Sequence, residues 1–180
     1  YGVYDPLHNR GTVCVGISHD TPAFAAHSIA TWWKREGARR WGRVPRLLIL
    51  ADSGGSNSCR SWAWKLEIQA QVCNAFGLTV TVAHYPTGAS KWNPIEHRLF
   101  SEISKNWAAE PLISYETMLN FIRTTSTKTG LAVTAYLDRK EKAWLSLEKE
   151  EIIEIELCIV CDKKARRVAY HGCHSLQIGH

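Results

Sequence analysis

The sequence predicts an α/β fold, a mixed β-sheet flanked by helices, and three observations carry that reading. β-rich stretches near the start lie on either side of a turn-forming segment. Leu47-Leu48-Ile49-Leu50-Ala51 is apolar without alternation, as in a strand covered on both faces. Helical periodicity then separates the strand-like runs from one another. The length of 180 residues suits one domain with a sizeable core, and 45% apolar against 22% charged residues is a globular composition. Eight Trp require an interior.

Val3-Tyr4 and Thr12–Ile17, joined through Asp5-Pro6-Leu7-His8-Asn9-Arg10-Gly11, predict a hairpin. Thr21 before Pro22 is an N-cap with Pro at the first helical position, and Ala25, Ile29, Trp32 and Trp33 give the helix an apolar face that ends near Gly37. After the Leu47–Ala51 strand, Trp62, Leu66, Ala70, Cys73 and Phe76 follow the helical period up to a stop at Gly77. Leu78, Val80 and Val82 alternate with Thr79 and Thr81, which predicts a half-buried strand. Asn93-Pro94-Ile95-Glu96 opens a helix that turns Ile95, Leu99, Phe100, Ile103 and Trp107 inward before Pro111. Ser114 caps another helix carrying Tyr115, Met118, Leu119 and Ile122. Leu131, Val133, Ala135 and Leu137 predict a further strand, and Glu148–Leu157 a helix within a charged segment. No internal repeat is visible.

Several function classes fall away. No apolar run approaches the roughly 18–20 residues of a membrane helix, and none sits at the start as a secretion signal would. Six Cys, spread through strand-like and helical stretches, suit a reducing cytoplasm better than a disulfide framework. Ser53-Gly54-Gly55-Ser56-Asn57-Ser58 lacks the Gly-Lys-Ser/Thr of a phosphate-binding loop and the closing Gly of a nucleophile elbow. The chain opens on Tyr1 within a strand-like stretch, which points to a start inside a larger domain.

Asp52 is the strongest single candidate for chemistry. It stands where the apolar strand ends, at the kind of position where open α/β sheets place reactive groups, and Gly54-Gly55 admits something bulky beside it. The bland reading is an Asp that opens a turn. Glu96 is the second candidate. Its bland reading is a capping-box partner of Asn93, favoured by the helix dipole, but Lys91, Trp92, His97 and Arg98 surround it with cations and an aromatic plane that suit a phosphodiester chain and its bases. Two such carboxylates can hold divalent cations for attack on phosphorus. The cationic surroundings argue against the other use of a carboxylate pair, glycoside cleavage.

Tyr1-Gly2-Val3-Tyr4-Asp5, Gly16-Ile17-Ser18-His19-Asp20-Thr21, Leu50-Ala51-Asp52-Ser53-Gly54-Gly55-Ser56-Asn57, Ser90-Lys91-Trp92-Asn93-Pro94-Ile95-Glu96-His97-Arg98-Leu99-Phe100 and Thr125-Ser126-Thr127-Lys128-Thr129-Gly130 closely resemble the catalytic region of ISAzo-type insertion-sequence transposases. The resemblance covers residues 1–138 and leaves 139–180 as a charged, then Cys/His-containing segment. It implies a ribonuclease-H-like fold with an Asp-Asp-Glu metal site using Mg²⁺ or Mn²⁺, in which Asp52 matches the second acid and Glu96 the third. It also implies DNA as partner, both transposon ends and target. An oligomer for the complete protein and a bacterial, cytoplasmic, nucleoid-associated location follow from the same resemblance.

In that family the first acid lies on the first strand, upstream of the hairpin, so the resemblance implies an incomplete triad, an impaired chain and an exposed strand edge prone to aggregation. Asp20, beside Thr21-Pro22, reads as a helix-capping residue and Asp5 as a turn residue, so neither substitutes well. The rival readings are a non-catalytic remnant with weak DNA binding and a nuclease of the same fold. Lys91, Trp92, Arg98 and Lys128 are the candidate DNA contacts. Lys34, Arg35, Arg39, Arg40, Arg43, Arg46 and Arg60 add a basic stretch that reads equally as a solvated loop. Cys158, Cys161, His171, Cys173 and His174 resemble half of a zinc site, set against the ordinary burial of thiols in an Ile/Leu-rich run.

Overall fold

The computed structural model describes residues 1–52, 54–86, 88–140 and 174–179. A single six-stranded sheet runs β4-β3-β6-β1-β2-β5, built from β1 (Gly2–Asp5), β2 (Arg10–Gly16), β3 (Arg46–Ala51), β4 (Thr79–His84), β5 (Ala132–Asp138) and β6 (His174–Gly179). The sheet is mixed: β1 is antiparallel to both β2 and β6, whereas β2 with β5, β3 with β4 and β3 with β6 run parallel. The predicted hairpin forms. Its turn is held by Asp5, whose carboxylate accepts from the Leu7 and His8 amides at 3.0 and 3.3 Å, and by the Tyr4 hydroxyl, which donates to Asn9 at 2.8 Å.

Helices cover both faces. On one lie α1 (Pro22–Trp32), continued through a wide π turn (Trp33–Gly37) into α2 (Ala38–Trp41), and α3 (Trp62–Ile68), continued by a second π turn (Gln69–Asn74). Ile29, Trp32 and Trp33 meet Trp64, Ile68 and Val72 over Leu47, Ile49, Val80 and Val82. On the other face a π turn (Glu96–Phe100) leads into α4 (Ser101–Asn106), beside α5 (Tyr115–Thr124). There Ile95, Leu99 and Ile103 pack with Leu119 and Ile122 against Tyr4, Val13 and Val133. Thr21 and Ser114 cap α1 and α5 as their sequence positions predict, accepting from the Phe24 and Thr117 amides at 3.2 and 3.1 Å. Among the described residues no helix is long and apolar enough to cross a membrane.

Two glycines set how closely the Glu96-bearing helix approaches the sheet. A side chain on Gly2 would place its Cβ 2.6 Å from Phe100, and one on Gly11 would collide with Leu99. Only hydrogen at these positions lets Leu99 and Phe100 seat directly on β1 and β2.

Several expectations change. The apolar stripe of α3 is Trp64, Ile68 and Val72, each 2% exposed or less, and not Trp62, Leu66 and Ala70. Two stripes coexist in this sequence at helical spacing. The one with the larger, unbroken side chains faces α1, and the π turn after Ile68 keeps Val72 in phase with it. Trp62 is left 48% exposed and Trp92 69%, so an interior does not claim every Trp. Asp20 is not the cap of α1; Thr21 is, and Asp20 lies exposed just outside. The slot between β1 and β3 is filled by β6, and β4 and β5 are the outer strands of the sheet. The Glu148–Leu157 helix, the charged segment from 141 onward and Cys158, Cys161, His171 and Cys173 lie outside the described residues; of His174, the backbone in β6 is described.

Among the described residues, β6 is the only hydrogen-bonded link between the β3–β4 pair and the β1–β2–β5 group. Ile178, 0% exposed, pairs with Val3 on one side and Ala51 on the other. Ile178→Ala is expected to lower the unfolding free energy by about 2–5 kcal/mol in urea titrations. Gln177→Pro, which strips an N–H from an interior strand, should abolish a single cooperative transition. An unchanged urea midpoint in both variants would contradict this sheet order.

Candidate active site

β3, β6 and β2 all point their carboxyl ends the same way, and β1 begins at that end. Asp52, half-buried, follows Ala51 there. The ladder continues one residue past β4, with the Tyr85 amide donating to Ala51 at 2.7 Å, so Asp52 emerges beside His84 and Tyr85. Its carboxylate accepts from the Asn57 side-chain amide at 3.2 Å. Asn57 is fully buried in a short 3₁₀ turn (Gly55–Asn57), and its carbonyl lies 2.8 Å from His84 Nε2. A carbonyl only accepts, so His84 carries its proton on Nε2. Gly55 enters this turn at φ 63°, the left-handed region a side chain would strain. The buried end of this turn, Ser56 and Asn57, is therefore a brace for Asp52.

Glu96 reaches the same end from the other face. Ile95, one residue before it, is fully buried and contacts the position of Gly2 at the start of β1. The Glu96 amide donates to the Asn93 carbonyl at 3.1 Å, and the π turn Glu96–Phe100 follows, with the Ser101 amide donating to the Glu96 carbonyl. The capping box does not form as expected: Asn93 is 1% exposed, and its side-chain amide has no hydrogen-bond partner among the described residues. Lys91 and Arg98 are exposed, the Lys91 ammonium lies 5.1 Å from the centre of the Trp92 ring, and His97 Nε2 lies 2.8 Å from the Lys91 carbonyl.

The other acids separate clearly. Asp5 sits at the opposite end of the sheet, engaged in the hairpin turn and 2.9 Å from His8 Nδ1. Asp138 ends β5 at the Asp52 end, but four strand spacings away, about 19 Å. There it receives the Lys140 amide and lies 3.5 Å from His27. Asp20 is nearer. The Tyr1 hydroxyl is held well above the usual phenol range first by burial and then by the charges of both Asp20 and Asp52. Sequence reasoning missed Tyr1 as a member of this region, because a strand-like position carries no signal of what its hydroxyl meets. Lys128 is not brought here; it precedes β5 at the far end of the sheet.

Carboxylate oxygens suit a hard divalent cation, and Mg²⁺ is commonly held by one or two carboxylates together with substrate phosphates. Asp52 and Glu96 each offer carboxylate oxygens of this kind. Among the described residues no cluster of three or more His, Cys, Asp or Glu is placed to hold a metal ion.

A raised phenol pKa stabilises the fold below the unfolded value and is lost as pH rises, because the folded state keeps its proton longer. Stability is therefore expected to fall above about pH 10, the ordinary Tyr value. In urea titrations across that range Tyr1→Phe should flatten the fall, and an unaltered slope would remove Tyr1 as its source. Asn57→Ala, which deletes a fully buried amide and the donor to Asp52, should cost about 1–3 kcal/mol in the same titrations at neutral pH.

Residues 1–168 match the family described as the Rhodopirellula transposase DDE domain, of the ISAZ013 type, and the match continues past residue 138, to which the resemblance in sequence extends. No curated protein and no solved structure matches the chain. Matched over most of its length, the chain belongs to the DDE transposase domain family.

Proposed function

We propose that this domain processes DNA during transposition, cutting a strand at a transposon end and joining the resulting 3′-hydroxyl to target DNA. One observation carries the reading: Asp52 and Glu96, which the resemblance implies are the second and third acids, stand on elements that reach the same end of one sheet. The mixed sheet, with an antiparallel hairpin and a parallel β3–β4 pair between helical layers, supports a ribonuclease-H-like fold.

In cleavage, a water oxygen bonds to phosphorus and the bond to the 3′-oxygen breaks, leaving a 3′-hydroxyl. In joining, that hydroxyl bonds to a target phosphorus and displaces the target's own 3′-oxygen, which takes up the proton. Asp52, fixed by Asn57, and Glu96, fixed by Ile95 and the turn from Asn93, would hold a divalent cation, with Mg²⁺ or Mn²⁺ as the proposed ions. Such an ion, when bound, would supply activation of the attacking oxygen and neutralisation of charge on the leaving one. Lys91 and Arg98 hold backbone phosphates, and Trp92 offers a plane for a base. Two ends must meet for joining, so the protein is read as an oligomer acting at the bacterial nucleoid.

A second reading, a DNA-binding domain without catalysis, is favoured by one fact: no third acid joins Asp52 and Glu96 in a metal-holding group among the described residues. The readings separate in a plasmid-nicking and strand-joining assay with Mn²⁺. The catalytic reading expects Asp52→Asn and Glu96→Gln each to reduce nicking by about a hundredfold or more. Activity that survives both substitutions would overturn the assignment of the site. Metal-independent binding with no nicking by the unsubstituted chain would establish the second reading.

A further inference from the structure

Trp62 and Trp92 are the two most exposed tryptophans described, and each carries a lysine over its ring. Lys65 Nζ lies 4.2 Å from the Trp62 ring centre and Lys91 Nζ 5.1 Å from that of Trp92. An indole left half in water is costly to keep there, and a cation resting on it gives a flat apolar plane a positive rim. Both pairs stand at the carboxyl end of β3. Trp62 opens α3, ten residues after Asp52, on a helix capped by Ser61, whose hydroxyl accepts from the Trp64 amide at 3.2 Å. Trp92 closes a 3₁₀ turn (Ser90–Trp92) four residues before Glu96. α3 covers one face of the sheet and the Glu96 helix the other, so the two tryptophans stand on elements from opposite faces, one following Asp52 in the chain and the other preceding Glu96.

We infer that Trp62, with Lys65, is a second base-stacking platform, and that the substrate crosses this site as single-stranded or locally opened DNA. One unstacked base would rest on Trp62 and another on Trp92, with the phosphate between them delivered to Asp52 and Glu96. Exposed Arg60 and Arg98 extend the positive rim on the two sides. A closed duplex keeps its base faces covered and cannot use either plane, whereas a single strand offers every base to them. No covalent step is added to the reaction; the platforms position the strand. The inference rests on the DNA-processing reading above.

The test uses fluorescence anisotropy of a labelled oligothymidine strand and of a labelled duplex of mixed sequence, both in EDTA, with the full chain. Trp62→Ala is expected to weaken single-strand binding by about tenfold while changing duplex binding by less than about twofold, and Trp62→Phe to restore most of the loss. The salt dependence should stay unchanged in Trp62→Ala and become shallower by about one unit in Lys65→Ala, because only the lysine carries charge. Thermal melts matching the parent exclude loss of fold in these exposed positions. Equal losses for single strand and duplex, or no loss for either, would overturn the platform while leaving DNA binding intact. If the unsubstituted chain binds neither DNA, the DNA-processing reading itself fails and this inference falls with it.

Discussion

The structure depends on what lies between β1 and β3. Neither strand reaches the other, and both require a hydrogen-bonding partner in the interior of the sheet. An interior strand edge without one would bury a row of N–H and C=O groups, each at a cost of about 1–3 kcal/mol. β6 supplies those bonds to both sides, five residues deep against β3 and three against β1. The remainder of the architecture is two separately paired groups of strands that this segment holds in register.

That division passes through the candidate site. Asp52 belongs to the β3–β4 side, with its brace from Asn57 and His84. Glu96 belongs to the other, because its helix is seated on β1 and β2 through the close approaches at Gly2 and Gly11. The relation between the two carboxylates is therefore a tertiary property set by β6, and neither helix propensity nor strand propensity fixes it. β6 brings no acid of its own to the pair; His174, Ser175, Leu176, Gln177, Ile178 and Gly179 are all uncharged or imidazole-bearing.

The sequence conveyed the parts whose signals are local. The hairpin, the Thr21 and Ser114 caps, the buried β3 and the inward face of Ile95, Leu99 and Ile103 follow from turn chemistry and periodicity, and each is found. Asp52 and Glu96 stand out in the sequence because a strand end and a cationic flank are sequence features, and their role remains the proposal made above. What stayed hidden was non-local. Two apolar stripes compete on α3, and only the docking against α1 selects Trp64, Ile68 and Val72, which is why Trp62 reaches solvent. The pairing of residues 174–179 with strands more than a hundred positions earlier leaves no periodic trace, and short alternation there is compatible with any edge. Lys128 was grouped with the site by motif alone, and the parallel pairing of β5 with β2 carries it to the far end.

The proposed function would need a divalent cation held jointly by Asp52, on one half of the sheet, and Glu96, on the other. Iron-mediated self-cleavage measures that most directly: Fe²⁺ bound in place of the native ion, with ascorbate and peroxide, cuts the backbone nearest to it. The account predicts cuts near Asp52 and near Glu96 in the same molecules, suppressed together by excess Mg²⁺. Cuts near one of the two acids without the other, or none that Mg²⁺ suppresses, would contradict it.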